Sequence, residues 1–154
     1  MQIEERYIEL KRTFLELSDY ARESDDVEIS HAFRVGKKLH WSDLISEYRV
    51  VILAEAGTGK TEEIRNIARN LKSESKFAFF MRLEYVSEDF ELAFEVGSFA
   101  EYNEWLKSNE EGWFLLDSVD EARLREPRDF ERALRKLGKR LSSAKHRAHI
   151  ILTG

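Results

Sequence analysis

Residues 50–72 constrain this chain more than any other stretch, because they join an apolar run to a helix through a glycine-rich turn. Val50, Val51, Ile52 and Leu53 are continuously apolar, as in a strand buried on both faces. Ala54-Glu55-Ala56-Gly57-Thr58-Gly59-Lys60-Thr61 follows, and residues 62–72 have the composition of a helix. Strand, Gly-rich turn, Lys-Thr and helix, in this order, make a phosphate-binding loop. Glycines let the backbone curl so that successive N–H groups point into one concavity, which suits an anion. The helix start adds unpaired donors and the positive end of a dipole. Lys60 would reach the outer phosphates, and the Thr61 hydroxyl would hold Mg²⁺. The pattern's first glycine is replaced by Ala54, whose methyl group reshapes the start of the turn. The plain alternative is a strand–turn–helix junction with an accidental lysine.

A second motif bears on the first. Trp113-Phe114-Leu115-Leu116 is an apolar run ending in Asp117, then Ser118-Val119-Asp120-Glu121. Functional groups of parallel sheets sit at the carboxyl ends of strands. An acid there can hold the Mg²⁺ that bridges two phosphates, which assigns that role to Asp117. Asp120 or Glu121, a short turn further on, can orient and deprotonate an attacking water. Without a ligand, the same residues would form an acidic turn in which Asp120 or Glu121 caps the next helix.

The loop E-A-G-T-G-K-T with the downstream L-L-D-S-V-D-E resembles the NACHT group of STAND nucleotide triphosphatases, relatives of the AAA+ class. In that group the second motif runs apolar strand, Asp, small residue, any residue, Asp, Glu, and the small residue here is Ser118. The likeness covers residues 49–154. It implies a three-layer α/β phosphate-loop fold with a parallel sheet, in which the first strand neighbours the fourth, then come the third and the second. It also implies that Glu55, Ala56, Gly57, Thr58, Gly59, Lys60, Thr61 and Glu62 contact ATP or GTP. Thr61 and Asp117 would bind magnesium, while Asp120, Glu121 and Lys60 support hydrolysis. Thr153, at the tip of the run 149–154, would be a polar sensor near the γ-phosphate. Members of the group act as signalling or oligomerisation switches, bacterial ones often in antiviral defence, and carry further domains after this core. The chain ends directly after the sensor strand, so a core incomplete at its C-terminus is expected, within a longer chain that can form a homo-oligomer.

Composition narrows the setting. With 154 residues, one domain is expected. Hydrophobic residues make up 42% and charged residues 36%, a globular rather than disordered balance. A net charge of −5 gives no general attraction to nucleic acid. A local basic face at Arg132, Arg135, Lys136, Lys139 and Arg140 could meet phosphates, or simply face solvent. Cysteine is absent, which excludes disulfides and thiolate metal sites. No secretory or membrane-spanning stretch is visible, and a cytoplasmic setting is expected.

Along the chain, Ile3, Tyr7, Leu10, Phe14, Leu17 and Ala21 alternate spacings of four and three, which predicts an amphipathic helix over residues 1–24. It could pack on its own domain or dock a partner. Residues 25–48 read as a linker and a short helix, 42–46, capped by Ser42. Core strands are expected at 49–53, 76–83, 113–116 and 148–153, with helices at 62–72, 99–107 and 128–143. Pro127 suits the first turn of the last helix. Residues 85–97 have no clear assignment. Arg82 and Glu84 close the second strand, where they could touch the γ-phosphate or form a surface salt bridge. The four histidines lack metal-ligand spacing, and Trp41, Trp105 and Trp113 read as packing residues.

Mg²⁺-dependent hydrolysis of ATP or GTP as a switch is the leading functional expectation. One alternative is an interaction module that binds nucleotide with little hydrolysis, because groups supplied in trans can carry much of the rate. Another is a small-molecule kinase, for which Arg123, Arg125 and Arg128 are the only hint of a basic lid.

Overall fold

The computed structural model describes residues 13–15, 38–52, 59–117 and 127–153. Its elements are β1 (Phe14–Leu15), β2 (Lys38–Leu39), α1 (Trp41–Ser46), β3 (Arg49–Ile52), α2 (Lys60–Ser73), β4 (Phe77–Arg82), α3 (Leu83–Glu88), β5 (Phe94–Val96), α4 (Phe99–Lys107), β6 (Gly112–Asp117), α5 (Pro127–Arg140) and β7 (Ala148–Thr153). This is an α/β chain with a Rossmann-like sheet. Five strands lie in the order β3-β7-β6-β4-β5. The first four run parallel, and β5 is antiparallel on β4. The sheet is therefore mixed and differs from the wholly parallel four-strand arrangement expected above. Its fifth member comes from the stretch without an assignment. Three residues suffice for β5 because it only has to pair one edge, with a register shift between Phe80 and Met81.

Alternation along the strands sorts side chains into two cores. Ala78, Phe80, Leu115 and Ile151 pack with Leu44 of α1 and with Ile64, Ala68 and Leu71 of α2. Phe79, Met81, Phe114, Leu116 and Leu152 face the other way, against Tyr102 and Trp105 of α4 and Ala133, Leu137 and Leu141 of the α5 end. Helices thus cover both faces. Trp105 is fully buried, and Arg147 stacks its guanidinium 4.5 Å from that ring while donating to the Trp105, Leu106 and Glu110 carbonyls. Those bonds tie the carboxyl end of α4 to the loop that follows it. Among the described residues no helix is long and apolar enough to cross a membrane.

Two local expectations change. Phe14 and Leu15 pair antiparallel with Leu39 and Lys38, so these two positions are extended rather than helical. The pairing lets Phe14 pack edge-on against Trp41, ring centroids 4.9 Å apart. The remainder of the predicted helix over 1–24 lies outside the described residues. Helix α1 is preceded by His40 as its cap, not started at Ser42; the Asp43 carboxylate accepts from the His40 amide at 2.8 Å. Other boundaries differ by a few residues: β4 stops at Arg82 because Leu83 opens α3.

His149 lies at the amino-terminal end of the sheet, on the α2 face. It is stacked between Trp113 and Tyr48, with centroids 4.6 and 4.3 Å away. Its Nδ1 is 2.8 Å from the Glu47 carbonyl and its Nε2 2.5 Å from Glu111 Oε2. Tyr48 donates its hydroxyl to the other Glu111 oxygen at 2.7 Å. The bonds from His149 and then Tyr48 hold the Glu111 carboxyl below its ordinary 4.5. A depressed carboxyl contributes stability that is present above 4.5 and lost as pH falls through the lower folded value.

Two predictions follow from this packing. Glu111 is half exposed, so its term should amount to less than about 1 kcal/mol. Urea melts at stepped pH below 4.5 should show the wild type losing stability faster than Glu111→Gln. Gly97, at φ +80°, places a would-be Cβ 2.6 Å from the Phe79 ring. Gly97→Ala should therefore lower stability by about 2 kcal/mol, read as a drop in denaturation midpoint.

Candidate functional site

The sheet register collects polar residues at one edge. Arg82 pairs with Asp117, Asp117 with Thr153, and Thr153 with Ile52, across four neighbouring strands. Parallel partners project to the same face, here the face that α2 covers. β4 and β6 are apolar from Phe77 to Met81 and from Trp113 to Leu116, so in these two strands the polar residue comes at the carboxyl end. Asp117 is 2% exposed and Thr153 fully buried.

Helix α2 approaches this row with its amino terminus. It starts after Gly59, whose φ of 76° lies in the left-handed region that glycine adopts without penalty. Among the described residues no heavy atom lies within 4 Å of where a Cβ on Gly59 would stand. Lys60 opens the helix and Thr61 follows in its first turn. The Thr61 hydroxyl donates to Asp117 Oδ2 at 2.7 Å, across 56 positions of sequence. The Thr153 hydroxyl donates to Asp117 Oδ1 at 3.2 Å and shares its hydrogen with the Leu116 carbonyl at 3.4 Å. Two hydroxyls from different elements therefore fix both oxygens of one buried carboxylate.

These donors suit a hard cation. Magnesium takes oxygen ligands, keeps several waters and needs only one or two protein groups beside the substrate's phosphates. Thr61 Oγ1 and Asp117 supply such a pair at the start of a 14-residue helix whose N–H groups and dipole favour anions. Among the described residues no group of three His, Asp or Glu side chains forms a complete protein cage.

The structure places the sequence candidates unevenly. Thr61, Asp117 and Thr153 come together, with Gly59 and Lys60 immediately before Thr61. Glu62 is exposed and pairs its carboxylate with Arg65 one turn on, so its side chain is engaged elsewhere. Glu55, Ala56, Gly57, Thr58, Asp120 and Glu121 lie outside the described residues. Glu84 is buried in the first turn of α3. Arg82 forms the salt bridge that was one of its two expected roles, its Nε 2.6 Å from Glu95 Oε1. Sequence reasoning missed Glu95 and Arg65. Glu95 sits in β5, and its second oxygen is 2.8 Å from Arg65 Nη2. Glu62 and Arg65 at i, i+3 were a visible pairing signal. Nothing short of the fold could bring Glu95 to them.

Comparison of the chain with family models, with curated proteins and with solved structures gives no match.

Asp117 is buried, and its partners among the described residues are the Thr61 and Thr153 hydroxyls. Asp117→Asn keeps an acceptor for one hydroxyl and removes a carboxylate oxygen that a cation would need. This variant should lose the stabilisation that magnesium with a phosphate ligand gives the wild type. Thermal melts with and without Mg²⁺ and triphosphate read the loss.

Proposed function

We propose that this chain binds a nucleoside triphosphate, ATP or GTP, with Mg²⁺ at the junction of α2 with the ends of β6 and β7, and hydrolyses it as a conformational switch. The single observation that carries the reading is the 2.7 Å bond between Thr61 and Asp117. Each residue was assigned to magnesium from a separate motif, and an accidental lysine after a turn has no reason to bring its neighbouring threonine onto an acidic strand end. The three-layer arrangement around a mostly parallel sheet is of the kind such enzymes use, and the NACHT-type STAND group is the family that the two motifs resemble.

The roles then follow from chemistry. Lys60 and the N–H groups opening α2 hold non-bridging phosphate oxygens. Thr61 and Asp117 would hold Mg²⁺, which would supply positive charge against the phosphates. Thr153 keeps the Asp117 carboxylate in one orientation. Asp120 or Glu121 would align a water and take its proton as the water oxygen bonds to the γ-phosphorus, the bond to the β–γ bridging oxygen breaks and the nucleoside diphosphate leaves with that electron pair. In a cytoplasmic setting the triphosphate is abundant, and hydrolysis releases the arrangement of attached domains that the triphosphate held.

Titration with fluorescent ATP and GTP analogues tests the binding half. Lys60→Ala should bind at least about tenfold more weakly, and equal affinity in the two proteins refutes it. For hydrolysis, Glu121→Gln or Asp120→Asn should bind nucleotide yet release phosphate about 100-fold more slowly. Wild-type turnover in both variants removes these carboxylates from the reaction.

A further inference from the structure

We infer that Arg82 discriminates triphosphate from diphosphate, and that Glu95 restrains it until the γ-phosphate arrives. The inference rests on the nucleotide reading above and adds to it a residue that neither motif contains. Arg82 is the register partner of Asp117 on the neighbouring parallel strand. Such partners lie about 4.8 Å apart, well within the span of an arginine side chain. Both project to the α2 face, where an outer phosphate beside Asp117 would sit. At present the guanidinium turns the other way, to Glu95 on the edge strand β5. Its side chain is 36% exposed, so it has room to swing.

The partner it would leave is not stranded. Glu95 binds two cations at once, Arg82 through Oε1 at 2.6 Å and Arg65 through Oε2 at 2.8 Å. If Arg82 departs, Arg65 still neutralises Glu95. Arg65 is itself bonded to Glu62 and lies over the Phe80 ring, 5.3 Å from its centroid, which holds it in place. A lone, buried Arg–Glu pair would resist opening because it would leave an unpaired charge. The chain Glu62–Arg65–Glu95–Arg82 avoids that cost and begins one residue after Thr61. Arginine suits the task, since its planar fork matches phosphate oxygens. A diphosphate, lacking the outer group, leaves Arg82 with Glu95.

The test compares the affinity of the full chain for a fluorescent triphosphate and the matching diphosphate, in the adenosine and guanosine series, with Mg²⁺ present. Arg82→Ala should lose about tenfold in triphosphate affinity and leave diphosphate affinity unchanged. Glu95→Gln, which frees Arg82, should raise triphosphate affinity severalfold, again with diphosphate unchanged, and Arg82→Lys should recover only part of the preference. Thermal melts confirm that each variant is folded, and Glu95→Gln decides the matter if Arg82→Ala is not. An unchanged triphosphate-to-diphosphate ratio in Arg82→Ala, or a fall in triphosphate affinity in Glu95→Gln, overturns the inference while the nucleotide site stands. Wild-type protein that binds neither nucleotide overturns both.

Discussion

A carboxylate at the tip of a central strand, gripped by hydroxyls from a helix start and from the next strand, organises this molecule. Asp117 ends the strand that lies third of five, with β7 on one side and β4 on the other. Thr61 comes to it from α2 and Thr153 from β7, so the bonds join three elements that are far apart in sequence. The register of the sheet makes this possible. A shift of one residue in β7 would bring Leu152 to Asp117's row and turn Thr153 out of reach. Packing on both faces makes such a shift costly, because every buried side chain of β7 would exchange faces.

The same face carries a polar row at each end of the sheet. At one end Trp113 and His149 pair in register and stack, His149 bonded to the Glu47 carbonyl and Glu111 and the Trp113 indole donating to the Ile45 carbonyl. At the other, Asp117 and Thr153 pair in register, with the Thr61 hydroxyl bonded to Asp117. The first row is closed by its own aromatic and acidic partners and serves the fold. In the second, the partners of the Asp117 carboxyl among the described residues are hydroxyls, an oxygen-rich setting that suits a cation brought by a ligand. Buried polar groups become informative once one asks what each is bonded to.

Much of this was legible in the residues. The runs at 113–116 and 148–153 are short and mostly apolar, which favours buried strands over helices, and the helix expected at 99–107 is α4, whose Ser98 cap accepts from the Glu101 amide at 3.2 Å. Thr61 and Asp117 were assigned to one ion from separate motifs, and they touch. Residues 85–97 defeated pattern reading for a physical reason. Val86, Phe90, Ala93 and Val96 are buried along the end of α3, a 3₁₀ turn at Phe90–Leu92 and β5, so no single period persists long enough to identify any of them. Phe14 fits a helical stripe, yet it lies in a two-residue ladder with β2 and packs on the Trp41 ring. Tertiary contact overrides local rhythm when the element is short. Glu95 illustrates the same limit, since its two arginines come from α2 and β4 and only the folded edge brings all three together.

Arg82 is at once the last residue of β4 and the residue that caps α3. Leu83 and Val86 of α3 are sealed into the core shared with Ala133 and Leu137 of α5. Backbone torsion at a single position therefore sets the angle at which one helix leaves the sheet, and a second helix rides on it. A substitution that changes the backbone at Arg82 acts on two helices at once, although only one of them adjoins it in sequence.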